Sequence, residues 1–420
     1  MKTRALGAVT AQGVQAGVSF VLQVLVARWL GVEELGRFAI LYGLIIVATA
    51  IVTGYVGDSL VVLDRADARI RGALQGSALS LALATAIIAA TVVAAIGLVS
   101  PIEAIAFALA LAAFVVEEVL RRLLMASYSF YRVAAADLSG FAVALGIVLG
   151  VQLTNGATLT TFLFAIAIGQ VVGIGVALTL LPAAERTWAP FRAGGYRDVA
   201  RYGSWRGFQQ LLRPSLFTVV RFAVGIAAGL AAVGLLEAAR VYVAPAMLVI
   251  GGLTSYLFVG YAHDSETPLP ARVRRADRAV GGLLALTAAL AVVALLLVGW
   301  AGPLLFGTEL DAIAVLGWLV YAASVAAVTP YGSLAAVIGR QSTVFAIRAG
   351  DTVLSALAVV ALLWAGAEPR LMPLVLAAGS LLGGLAIRFV VLGRERRYPK
   401  SSVDEDGLGD GPEPGALEPS

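Results

Sequence analysis

The sequence predicts an all-α integral membrane protein of about twelve transmembrane helices. Three observations carry this: an extreme apolar composition, apolar stretches of membrane-spanning length recurring along the chain, and basic residues gathered on one side of them. Of the 420 residues, 60% are hydrophobic, Gly adds 46 more, and only 13% are charged. Soluble proteins are about 45–50% apolar with Gly included, and about 25% charged. So few charges cannot cover a chain of this size in water, which excludes a soluble globular enzyme. It also excludes a nucleic-acid binder, despite the net charge of +4 and a pI of about 9.4. Cys is absent, so disulfides, thiol nucleophiles and zinc–thiolate sites are out. His263 is the single histidine, which removes His-cluster metal sites; no metal and no cofactor are expected.

A bilayer core about 30 Å thick needs roughly 20 mainly apolar residues per helix. Such stretches fall at about 7–30, 37–62, 73–99, 103–125, 134–153, 158–181, 202–228, 231–260, 278–300, 309–337, 342–365 and 372–392. The first starts close to Met1, behind only Lys2 and Arg4. It is too long for a signal peptide and lacks a small-residue cleavage site, so it reads as a retained helix.

Basic residues set orientation, because they are retained on the cytoplasmic side. With the N-terminus cytoplasmic, 24 of the 30 Lys and Arg fall on inside ends and loops. Arg28, Arg37 and Arg370 fall outside, and Arg213, Arg221 and Arg240 lie within spans. Both termini are therefore expected on the cytoplasmic side of the membrane. Trp29, Trp188, Trp205, Trp300 and Trp364 lie near span ends, where indole favours the interface. The chain divides into an N-terminal lobe (1–181), a cytoplasmic connection (182–201), a C-terminal lobe (202–393) and an acidic, Gly/Pro-rich tail (394–420) expected to be disordered.

The halves repeat. A shift of 198 residues places Gln12 on Gln210, Val26 on Val224, Gly31 on Gly229 and Gly36 on Gly234. A shift of 214 places Asp137 on Asp351. Internal repeats of this kind are typical of secondary transporters, with the substrate path between the repeats. Ala27-Arg28-Trp29-Leu30-Gly31 with Glu34-Leu35-Gly36-Arg37-Phe38-Ala39 resembles the opening of the polysaccharide (Wzx-type) flippases of the multidrug/oligosaccharidyl-lipid/polysaccharide exporter superfamily. Ala231-Ala232-Val233-Gly234-Leu235-Leu236-Glu237-Ala238-Ala239 resembles that family's eighth-helix entry, and Pro303-Leu304-Leu305-Phe306-Gly307-Thr308-Glu309-Leu310 its loop before the tenth helix. The resemblance covers about residues 1–393. It implies two six-helix lobes in a V around a central cationic cavity lined by helices 1, 2, 7 and 8. The implied cargo is polyprenyl-pyrophosphate-linked oligosaccharide, turned from the inner to the outer leaflet of a bacterial plasma membrane by alternating access for cell-surface polysaccharide such as O-antigen. A monomer among membrane lipids is expected, with a proton or sodium as coupling ion.

The residues themselves point the same way. An Arg at the centre of a span costs roughly 2.5–3.5 kcal/mol on the insertion scale, so it is rarely kept without a partner or a cavity. The seventh span carries Arg206, Gln209, Gln210, Arg213, Thr218 and Arg221. Arg206, Gln209 and Arg213 share one helical face, and Arg221 lies about 80° round and about 12 Å further along. Pro214 predicts a kink or an opening there. The eighth span adds Glu237, Arg240 and Tyr242; the first adds Gln12, Gln15, Ser19 and Gln23; the second adds Asp58 and Ser59. Arg28, Arg213, Arg221 and Arg240 are the candidate ligands for an anionic head group, since guanidinium forks suit phosphate oxygens. Gln12, Gln15, Gln23, Gln209 and Gln210 are candidate partners for sugar hydroxyls.

The bland readings stand beside these. Arg28 and Arg206 could simply reach the two interfaces, and Glu237 could simply neutralise Arg240. Asp58 is a coupling candidate or a helix-end partner of Arg65 or Arg69, and Glu237 a gating candidate. Asp137 and Asp351 read as pairing groups, Glu117-Glu118 with Arg121-Arg122 as a helical ion-pair cluster, and His263 as an exposed loop residue. Two other functions remain open. A membrane glycosyltransferase, polymerase or ligase would need acids or metals on long outside loops, and those loops are short. A cation-coupled drug antiporter would need buried acids in excess of bases, the reverse of spans seven and eight.

Overall fold

In the computed structural model, residues 2–187, 189–191, 194–263 and 267–393 are described. Trp188, the side chain of His263 and the tail at 394–420 lie outside the described residues. The helices are α1 (Lys2–Leu30), α2 (Val32–Val62), α3 (Ala68–Ala95), α4 (Pro101–Ala126), α5 (Phe130–Thr154) and α6 (Leu159–Leu180). A long stretch, Tyr196–His263, divides at Gly229 into α7 (196–228) and α8 (230–263). Then come α9 (Leu269–Phe306), α10 (Ala312–Val337), α11 (Gln341–Trp364) and α12 (Pro369–Val391). Each of the twelve apolar stretches is thus a helix, and the chain is a multi-pass membrane protein. Leu153, Ile226, Leu296 and Trp364 lie exposed, as side chains facing lipid should.

The helices outrun the apolar stretches where their ends are polar. The basic segment ahead of residue 278 is not loop but the first turns of α9, which starts at Leu269. Arg is a good helix former, so the helix continues beyond the apolar slab. Pro214 does not open α7 either. Of the residues between Tyr196 and His263, Gly229 alone has non-helical dihedrals, with φ 83° and ψ 171°. Pro214 lacks only its own N–H, and helical φ suits its ring. Local chemistry sets several ends: Ser100 and Glu103 form a capping box on α4 behind Pro101, and Asp311 caps α10.

The packing pairs repeat between the halves. In the N-terminal lobe α4 lies against α3 and α6, and α5 against α6; in the C-terminal lobe α10 lies against α9 and α12, and α11 against α12. The lobes meet where α2 runs along α7 and α8. The connection keeps to the N-terminal lobe: Arg65 pairs with Glu185 at 2.7 Å, and the Ala189 N–H donates to Gln75 Oε1 at 3.0 Å.

Two glycine crossings join the lobes. Gly31 has φ 88° and ψ 173°, nearly the angles of Gly229, so each half turns the same corner into α2 or α8. Five residues on, Gly36 and Gly234 bring these helices together. A Cβ on Gly36 would stand 2.0 Å from the Leu230 carbonyl oxygen, and one on Gly234 would stand 1.7 Å from that of Val32. Positions 32 and 230, like 36 and 234, are 198 apart, so the contact has two-fold symmetry. At the opposite, basic end α2 contains a π-helical turn, Thr53–Gly57, pressed on the start of α7. There a Cβ on Gly54 would stand 2.5 Å from the Arg206 oxygen, and one on Gly203 2.3 Å from that of Tyr55. Both ends of the α2 seam are closed.

Gly36→Ala must push α2 from α8. Overpacking of this kind costs about 1–3 kcal/mol, so the variant should unfold several degrees lower in detergent. Gly146→Ala, whose Cβ meets nothing within 4 Å, should match wild type. Equal melting of Gly36→Ala and wild type would remove this crossing from the supports of the fold.

Candidate functional site

The seam between α2, α7 and α8 holds a buried ion trio. Arg221 reaches from α7 to Glu237 on α8 with a two-pronged fork, Nε to Oε2 and Nη2 to Oε1, both at 3.1 Å. Arg240 joins from one helical turn further, its Nε 3.0 Å from Oε1 of the same carboxylate. Side-chain exposure is only 4% for Glu237 and 11% for Arg221. Charge-assisted forks are among the stronger polar contacts, yet two guanidiniums share one carboxylate, so the trio carries one positive charge. On the α2 side Gly43 covers it; a Cβ there would lie 2.7 Å from Arg221 Nη1. The space beside the trio is about 10 Å³, too small for any ligand.

Arg213 is placed differently. It faces a cavity of about 450 Å³ among α7, α10, α11 and α12. Among the described residues no carboxylate lies within ion-pair distance of it. Its guanidinium instead sits 5.7 Å from the Phe217 ring centre and 5.9 Å from that of Tyr321. Aromatic faces attract a cation through the ring quadrupole without using its N–H donors, so those donors remain for a ligand. Gln209, Thr329, Ser333, Thr352, Ser355 and Ser380 also line the cavity. Arg348 and Asp351 close part of its wall as a pair at 3.0 Å.

A smaller cavity, about 50 Å³, occupies the matching place in the N-terminal lobe, among α1, α2, α4, α5 and α6. Its polar wall is a cluster around Arg121, which is 2% exposed. Arg121 meets Glu118 at 2.8 Å, Asp137 at 3.1 Å and Glu117 at 3.8 Å, and donates to Gln15 Oε1 at 3.2 Å. Glu118 is further held by Arg122 at 2.8 Å and by the Thr53 hydroxyl at 3.0 Å. Three carboxylates therefore face two guanidiniums, and Glu117 Oε1 and Asp137 Oδ2 are buried without hydrogen-bond partners.

The four candidate arginines are not gathered at one point. Arg213 lines open space, Arg221 and Arg240 are taken by Glu237, and Arg28 is at the far end of the molecule. There its Nη1 donates to the carbonyls of Pro303 and Leu304 at 2.8 and 2.9 Å, tying α1 to the end of α9. A cation suits a helix C-terminus, where carbonyls are left unpaired. Asp58 is bound by Arg206 at 2.8 Å, not by Arg65 or Arg69, and Arg206 also donates to Gln209 Oε1. Gln15 lines the N-terminal cavity, Gln23 is buried against Ser19, and Gln12 and Gln210 are exposed and line neither of these two cavities. The shift of 198 now has a chemical meaning. It sets Gln15 on Arg213, Gln23 on Arg221, Tyr42 on Arg240 and Ala39 on Glu237, so the glutamine stripe is the uncharged counterpart of the arginine stripe. Tyr321 was missed because nothing in sequence brings α10 beside α7; Phe217, four residues from Arg213 on α7, was within reach of helical spacing. Glu117-Glu118 with Arg121-Arg122 form the expected ion-pair cluster and Asp137 pairs into it; what sequence spacing did not bring together is the excess of acids over bases at that point.

Solved structures share this fold. An inward-facing multidrug resistance MATE family transporter of the MOP superfamily superimposes with TM-score 0.67 over 93% of this chain and 99% of that one, at 13% identity. The lipid II flippase MurJ, in an inward closed conformation, gives TM-score 0.74 over 91% of this chain and 86% of that one, at 11% identity. A MOP superfamily transporter from Pyrococcus furiosus, noted for the reverse polarity of its binding pocket, gives 0.63 over 94% and 95%, at 13% identity. No family model matches the sequence. No curated protein matches it either. The likeness establishes the two-lobed transporter fold.

Arg121→Leu would leave three buried carboxylates around an apolar side chain. Removing one partner of a buried ionic network costs about 3–5 kcal/mol, so this variant should lose most of its thermal stability in detergent. Arg65→Gln, which breaks a part-exposed pair, should cost under about 1 kcal/mol. Equal melting of the two variants would contradict the ranking.

Proposed function

We propose that the chain is a flippase that moves a lipid-linked oligosaccharide with a polyprenyl pyrophosphate anchor across a bacterial plasma membrane by alternating access, in the service of cell-surface polysaccharide. Arg213 carries the reading. It is a guanidinium midway along a membrane helix with no carboxylate partner among the described residues, facing a cavity rimmed with hydroxyls and an amide. A cation at that depth is rarely kept unless it has a partner or lines a cavity, and Arg213 lines one with its donors open to an anion. Phosphate oxygens suit the fork, and Ser, Thr and Gln suit sugar hydroxyls. The fold shared with MATE transporters and with MurJ supports a transport role, and the opposition of two lobes supports alternating access. The Wzx-type resemblance supplies the oligosaccharide, and the basic end supplies the cytoplasmic side.

The geometry favours a different coupling group from Asp58, which Arg206 engages. The surplus acid of the Glu117–Asp137 pair, with oxygens left open, is a place for a proton to ride. Its presence also gives the antiporter reading one point in favour, since in this lobe acids outnumber bases.

Two outcomes are expected in cells whose surface polymer depends on this chain. Arg213→Gln should lower binding of a polyprenyl pyrophosphate by roughly 10–100-fold, the loss of a charged hydrogen bond of about 1.5–3 kcal/mol, and should deplete surface polymer, while Arg213→Lys should be intermediate. Undiminished polymer with Arg213→Glu would end the assignment. Glu117→Gln should leave export running but insensitive to the proton gradient, measured as flipping in vesicles at matched and unmatched pH; an unchanged gradient response would return the coupling role to another acid.

A further inference from the structure

The ion trio combines features that a plain structural salt bridge does not need. It sits on the seam between lobes, where α2 must part from α7 and α8 if the carrier is to open. Glu237 is saturated: four guanidinium nitrogens, two each from Arg221 and Arg240, stand within 3.1 Å of its two oxygens. A single buried arginine would be neutralised by one carboxylate; here a second is held beside it. On the α2 side Gly43 faces Arg221 and has no side chain to answer the charge. Beside it the Thr218 hydroxyl is buried without a partner. Arg213 lies two turns along the same helix, about 12 Å from Arg221.

We propose that Glu237 is a resident counter-anion: it occupies, in the empty closed carrier, the place on Arg221 and Arg240 that a multiply charged phosphate group of the cargo takes when the lobes part. The inference rests on the anionic-cargo reading of Arg213. It names a second phosphate subsite on the same path and gives the carboxylate in that subsite a purpose. A carrier that works in cycles must close both with its cargo and without it. Two arginines that bind a pyrophosphate well would oppose closure once it leaves, because burying unpaired charge costs several kcal/mol per ion. A tethered carboxylate one turn away supplies the missing negative charge on the empty return. A dianionic phosphate displaces it by offering more charge and more acceptor oxygens.

The sequence contains no cysteine, so label pairs can be introduced directly. One pair, Glu33→Cys with Glu309→Cys, spans the lobes at the glycine-crossing end; another, Ala66→Cys with Arg201→Cys, spans them at the basic end. All four positions are exposed. Distances between nitroxides on each pair, in lipid nanodiscs without ligand, should show wild type closed at both ends. Glu237→Gln leaves two uncompensated guanidiniums and should raise the open fraction at least tenfold. The double variant Arg221→Gln with Glu237→Gln restores the wild-type charge of the trio while removing the fork, and should close again. Adding a polyprenyl pyrophosphate should close Glu237→Gln and leave the double variant unaffected. Glu237→Asp, which keeps the charge, should close like wild type and shows that the site tolerates substitution. The inference is overturned if ligand-free Glu237→Gln is as closed as wild type, if the double variant is as open as the single one, or if the lipid binds wild type without closing Glu237→Gln. Lipid that fails to bind wild type at all would instead sink the cargo reading, and the ligand-free distances would still decide whether Glu237 supplies the charge for closure.

Discussion

Charge neutralisation inside an apolar slab governs what this molecule can be. A guanidinium in the middle of a membrane bundle must be met by a carboxylate, a carbonyl, an aromatic face or a ligand, and the chain uses each in a different place. Arg121 is met by three acids and Arg221 by Glu237, Arg28 by the last carbonyls of α9, and Arg213 by two rings. These choices divide the arginines by role more sharply than depth does. Those answered by carboxylate or carbonyl hold helices together, whereas the one answered only by rings keeps its donors for something else.

Much of this was legible in the sequence, because the membrane makes span prediction a matter of length and composition. The twelve helices, the glycine corners at Gly31 and Gly229, and the Glu237–Arg240 pair follow from spacing along one chain. The start of α9 was misplaced since apolar length reports where the slab ends, not where hydrogen bonding ends. Arg221 is the instructive failure. On α7 it has no acid within reach, so it looked free; its partner is sixteen residues on, across the Gly229 corner, and only the fold of α8 back along α7 brings Glu237 to it. Tyr321, beside Arg213, escaped for the same reason: contacts between helices far apart in sequence leave no periodic trace.

The two cavities show the repeat at work with different chemistry. Each is walled by the first, fourth, fifth and sixth helices of its lobe, and each has an aspartate at the same register, Asp137 or Asp351. One cavity is small and faces a network with a surplus acid; the other is nine times larger and has an unengaged cation. The lobes thus place a surplus of acid on one side of the trio and a guanidinium met only by aromatic rings on the other.

The glycine crossing of α2 and α8 bears on how such a molecule could arise. Gly36 against residue 230 and Gly234 against residue 32 form a self-complementary contact, the kind two identical subunits make across a dyad. In a pair of identical subunits every charge near that axis is present twice: an Arg221, Arg240 and Glu237 on each side would crowd four guanidiniums into one seam. A single chain is free of that demand, and the residues matching the trio are Gln23, Tyr42 and Ala39. The seam therefore has one charged flank and one neutral flank, a polarity that a symmetric dimer could not have.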